Sequence, residues 1–148
     1  MGRCGGISGY RISRVRRAEI PADVRRFILT SVPSVPYLEA ILLLRSEPEV
    51  AWDARRLAGR LYVSEKQAAE LLAALDSAGI VRRETQEEVE LFCYLPASPD
   101  LRERLDALAQ AYSANLVGVT DLIHSRIDKR AQQFADAFRL RKDSGKEE

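Results

Sequence analysis

Five polar residues follow one another closely in Ser64, Glu65, Lys66, Gln67 and Glu70. Between and after them Ala68, Leu71, Leu72 and Leu75 recur at helical spacing, which predicts one buried stripe. The polar five, with Ala69, Ala73 and Ala74, then face outward. An outward helix face of this kind can read base edges, which takes donors and acceptors: arginine for guanine, asparagine or glutamine for adenine. Lys66 and Gln67 qualify. Glu70 can accept from cytosine but repels phosphate, and the alanines offer at most contact with a thymine methyl. Phosphate contacts come mainly from lysine and arginine and dominate affinity. Arg55, Arg56 and Arg60 lie just before this helix, and Arg82 and Arg83 just after it. Opposing them, Glu84, Glu87, Glu88 and Glu90 crowd the same segment as the last two arginines.

Other chemistries find less support. His124 is the single histidine, and with Cys4 and Cys93 it does not make the four ligands at short spacings that a zinc site wants. Cys93 lies in an apolar strand and reads as a small buried hydrophobe. The glycines at 5, 6 and 9 have no strand before them and no helix opening after them, so they do not form a phosphate-cradling loop. Carboxylates are scattered on polar faces without the partner that marks an acid–base pair. The expectation is a protein that is not an enzyme and carries no cofactor and no metal.

Two short helices must position the polar five. Asp53 is a good N-cap for a first helix with Leu57, Ala58 and Leu61 inward. After a corner at Tyr62 and Val63, Ser64 caps a second, and Gln67 completes a capping box. Gly79 supplies the left-handed position that ends it. Helices joined by so tight a corner cross steeply, as in a helix-turn-helix. Ile80 and Val81 then begin a strand, residues 88–95 (EVELFCYL) read as its return, and RRETQE between them reads as the polar tip of a hairpin. On Leu57, Ala58, Leu61, Val63, Ser64, Ala68, Leu72, Leu75, Gly79, Ile80 and Val81, this segment resembles the winged helix-turn-helix superfamily of bacterial regulators. The resemblance implies a mainly α fold with a small β-sheet, and double-stranded DNA as partner.

The flanks complete the expected domain, residues 20–97. A helix from Pro21 presents Val24, Phe27 and Ile28 and stops at Pro33. Ser34 caps a second helix whose dense run Leu38, Ile41, Leu42, Leu43 and Leu44 suits burial on most sides. Val50, Ala51 and Trp52 read as the third strand of the sheet, with Trp52 packed inward. Residues 1–19, with five arginines against one glutamate, read as a disordered basic arm or as sequence upstream of the natural start. Residues 21–100 hold nine basic against thirteen acidic residues, so the DNA-reading segment lies in the most acidic part of the chain. With no secretory pattern and no apolar run near the roughly 20 residues of a membrane span, the expected location is cytoplasmic, with no membrane partner.

Beyond Ser98 and Pro99 a long helix is predicted, with Leu101, Leu105, Leu108, Tyr112, Leu116, Val119, Ile123 and Ile127 in one stripe and a weak point at Gly118. Ala131, Phe134, Ala135 and Phe138 follow, and FADAFRLRKD is similar to the ending of small bacterial winged-helix proteins, a likeness covering residues 21–143. About 40 helical residues span some 60 Å, more than the core can shield. Residues 98–143 therefore read as a dimerisation extension using Leu108, Tyr112, Leu116, Val119, Ile123, Phe134 and Phe138, with residues 144–148 fraying. The alternative is a break near Ser125 that folds the last helix back. Two functions stand: a homodimeric transcriptional regulator placing Ser64 to Glu70 in the major groove, and a module that docks another protein on the alanine-lined face of residues 64–78.

Overall fold

Among the described residues, six helices and one hairpin surround a single apolar core. The computed structural model describes residues 19–147, with side-chain surroundings through Ala137. The basic arm, Glu19 apart, lies outside the described residues. Helix α1 (Ala22–Ser31) starts after Pro21 and buries Val24, Phe27 and Ile28. Helix α2 (Val35–Ser46) is capped by Ser34, whose Oγ accepts from the Tyr37 N–H at 3.3 Å. Leu38, Ile41 and Leu44 of α2 are fully buried. They form the floor on which α3 (Ala54–Leu61) and α4 (Glu65–Ser77) rest. No single helix among the described residues is long and apolar enough to cross a membrane.

Capping fixes the corner between α3 and α4. Asp53 accepts from the Arg56 N–H at 2.7 Å, and Ser64 from the Gln67 N–H at 3.1 Å. Tyr62 turns the chain between them in a left-handed conformation, φ 57°. Helix α4 ends in a Schellman motif: the Ile80 N–H donates to the Leu75 carbonyl and the Gly79 N–H to that of Asp76, both at 3.0 Å. Gly79 takes φ 77°, where a side chain would be strained.

The hairpin departs from the expectation in one respect. RRETQE is not a loose tip, because β1 (Val81–Gln86) contains most of it and pairs antiparallel with β2 (Val89–Tyr94) from Val81↔Tyr94 to Gln86↔Val89. The turn is Glu87 and Glu88 alone, both at positive φ (49° and 68°). A two-residue turn needs positive φ at both positions to follow the strand twist, so these glutamates accept a conformation that asparagine and glycine take more readily. The expected third strand shrinks to one bridge: Trp52 and Phe92 exchange two backbone hydrogen bonds of 2.8 Å. Trp52 is fully buried, as its size predicts. Cys93 is only half-buried.

The predicted continuous C-terminal rod is two helices. Helix α5 (Pro99–Ala114), capped by Ser98, buries Leu105, Leu108 and Ala111. Asn115 breaks the chain, and α6 (Leu116–Glu147) begins anew. The break falls neither at Gly118 nor near Ser125. Its cause is local: the Asn115 carboxamide accepts the Gly118 N–H at 2.9 Å, capping α6. Helix α6 then packs on α1 and α5 through Val119 and Ile123, both fully buried. Its backbone stays helical through Glu147, past the expected fraying point at Ser144.

Candidate nucleic-acid interface

Helix α4 presents its outer face as its periodicity predicts. Ser64, Glu65, Lys66, Gln67, Ala69, Glu70, Ala73 and Ala74 are exposed, while Ala68, Leu71, Leu72 and Leu75 are buried. The Ser64 cap leaves the first turn of α4 projecting from the corner. Beside it stands Tyr62, 94% exposed in its left-handed conformation. Sequence reasoning placed Tyr62 at the corner but did not mark it as a surface residue. Its neighbours explain this, since Leu61 and Val63 are half-buried and the outward direction comes only from the positive φ.

The structure sorts the five arginines by what already holds them. Arg60 Nη2 reaches Glu47 Oε2 at 3.1 Å, and the Arg60 and Arg56 guanidinium groups lie 5.6 and 5.3 Å from the centre of the Trp52 ring. Arg83 bridges the wing to α4: its Nε is 3.7 Å from Asp76 Oδ2 and its Nη1 3.2 Å from Glu90 Oε2. Arg82 sits at 4.0 Å from Glu84. Arg55 and Lys66 make no ion pair among the described residues. Partners from other elements, Glu47 and Asp76, were missed because no local spacing connects them to the arginines they hold.

All these pairs are largely exposed. An exposed pair contributes only about 0.2–1 kcal/mol, so exchanging a carboxylate for a DNA phosphate is energetically open to Arg60 and Arg83. The stacking of Arg56 and Arg60 on Trp52 is a firmer constraint, worth roughly 0.5–1 kcal/mol each. A cleft of about 610 Å³ separates α4 from the wing, lined by Asp53, Arg55, Ala69, Ala73, Asp76, Arg83 and Glu90 among others. Its mixed charge marks it as less suited to a polyanion than the projecting first turn.

The residues expected to pair two chains divide into two groups. Leu108, Val119 and Ile123 are fully buried inside one chain and have no surface left to offer a second. Tyr112 is half-buried, and Leu116 and Phe134 are exposed at 52% and 75%. Phe138 lies outside the residues whose side chains are described. His124 is exposed on α6, and no group of three His, Cys, Asp or Glu among the described residues stands together as metal ligands.

The sequence matches no family model and no curated protein. Two solved structures align with it loosely. A protein described as a MarR family transcription regulator aligns over 99% of this chain and 99% of its own, at 18% identity and a TM-score of 0.48. A MarR family protein from Bacillus stearothermophilus aligns over 91% of this chain and 99% of its own, at 19% identity and a TM-score of 0.44. The likeness is loose and carries no residue's role across. The elements themselves make the fold a winged helix-turn-helix: a capped corner between α3 and α4, then a glycine stop and an antiparallel wing.

Proposed function

We propose that this chain binds double-stranded DNA as a homodimer and regulates transcription, with the first turn of α4 in the major groove. The observation that carries this reading is the projecting turn itself, where Lys66 and Gln67 are exposed and Lys66 has no carboxylate to satisfy it. Ser64, Glu65 and Glu70 flank them on the same surface. Arg55, Arg56 and Arg60 on α3, with Arg82 and Arg83 on the wing, supply phosphate contacts on either side. Five such contacts per protomer give ten per dimer. The logarithm of affinity then falls with the logarithm of salt at a slope of about −9.

Fluorescence anisotropy with a random duplex at about 50 mM salt tests this. Association that weakens steeply towards 200 mM, with R55A, which removes one contact from each protomer, lowering the slope by about 2, is the expected result. No association at about 50 mM salt would overturn it. A second reading rests on a specific observation: Ala69, Ala73 and Ala74 form a smooth exposed strip, and three of the five arginines already face carboxylates. On that reading the face of residues 64–78 docks another protein, and the same titration separates the two.

A further inference from the structure

Helices α1 and α6 line a groove of about 600 Å³ that includes Arg25, Arg126, Lys129 and Arg130. No carboxylate lines it, and no residue of α3, α4 or the wing takes part. Leu122, Ser125, Arg126, Lys129, Arg130 and Gln133 follow one another by three, one, three, one and three, which places them on one face of α6. Arg25 and Leu29, four apart on α1, form the opposite wall. Like charges at such spacings repel, and none of the four cations makes an ion pair among the described residues. Arg126 also carries one nitrogen, Nη1, that is enclosed with no hydrogen-bond partner among the described residues. Buried polar groups are rarely left so.

We propose that this groove binds the dianionic head of a small organic phosphate. Three guanidinium forks and one ammonium attract a phosphomonoester, near −2 at neutral pH, and its oxygens suit the paired donors of arginine. Ser125 and Gln133 add neutral donors. Thr30 does not, because its hydroxyl already donates to the Arg26 carbonyl at 2.8 Å. Leu29 and Leu122 give the groove an apolar wall for a modest organic body. No aromatic residue lines it.

The full chain titrated with inorganic phosphate, with sodium chloride adjusted to constant ionic strength, tests the site. Calorimetry is expected to show binding, and Tm to rise by roughly 3 °C at about ten times the half-saturating concentration. R126Q is expected to weaken binding at least tenfold. K129Q/R130Q, altering two exposed positions, does the same without touching an enclosed atom. An equal rise in Tm with chloride alone, or phosphate binding unchanged in both variants, overturns the proposal. So does acetate binding as tightly as phosphate. Loss of duplex binding in K129Q/R130Q without any phosphate effect in the unaltered chain assigns the groove to nucleic acid instead, and overturns it too.

Discussion

Tyr94 shows how one enclosed atom shapes the response of the fold to pH. Its hydroxyl is buried with no hydrogen-bond partner. Burial pushes its pKa up, and Asp106 pushes the same way against the opposing pull of Arg45 and Arg102. Burial raises that of Tyr37 as well. Because the folded values exceed the unfolded one, about 10, folding favours the neutral phenols. Their contribution is fully present below pH about 10 and is lost as pH rises through the folded values. Y94F removes a hydroxyl that nothing satisfies, so stability at pH 7 should stay level or rise by up to about 1 kcal/mol. Its fall in Tm between pH 10 and 11 should be smaller than that of the unaltered chain. Thermal melts from pH 8 to 11 check both, and a Y94F Tm several degrees lower at pH 7 would show that the hydroxyl is satisfied after all. Trp52 illustrates the same scale differently: its burial follows from its size, whereas the two arginines above it follow only from the fold.

The joint between α5 and α6 decides how much of the last helix belongs to the core, and its energetics invert a propensity argument. In a plain helix, replacing Gly118 by alanine would stabilise by about 1 kcal/mol. Here a Cβ on Gly118 would collide with the Asn115 carboxamide, so the carboxamide must swing away and the cap is lost. Losing a cap costs about 1 kcal/mol. G118A alone should therefore gain nothing, while G118A in an N115A background, where no cap remains, should stabilise by about 1 kcal/mol. Denaturant unfolding of the four variants measures this coupling, and strict additivity would show that the cap does not hold the glycine. This joint also marks the boundary of what the sequence reveals. The N-caps at Asp53, Ser64 and Ser98, the glycine stop at 79 and the buried faces of α1, α2 and α4 were all legible, because each rests on contacts within a few residues. The break at Asn115 was not, since the stripe from Leu101 to Ile127 keeps its spacing across it. The wing was legible but the length of its first strand was not, for a related reason: RRETQE is polar because β1 is solvated after Val81, not because it is a loop.

At the scale of the whole molecule, the question is what the outer half of α6 does once Val119 and Ile123 have been spent on the core. From Asp128 to Ala137 every residue is exposed. Ile127, Ala131 and Phe134 are spaced by four and three, so they share one side of that exposed segment. Phe134 is the largest apolar side chain on it, and burying a phenylalanine contributes roughly 1.5–3 kcal/mol. A two-fold pairing of α6 counts that burial twice, and a palindromic DNA site requires two copies of α4 related by such an axis. The expected mass at about 10 μM by sedimentation equilibrium is that of two chains. F134E should return it to one and remove the dependence of Tm on protein concentration that dimerisation confers, at little direct cost to the single chain because Phe134 is 75% exposed there. DNA affinity should fall in the same variant, since two linked half-sites bind more tightly than one. A single-chain mass for the unaltered protein at that concentration would leave α6 as a monomer's appendage and remove the geometric reason for a two-fold operator.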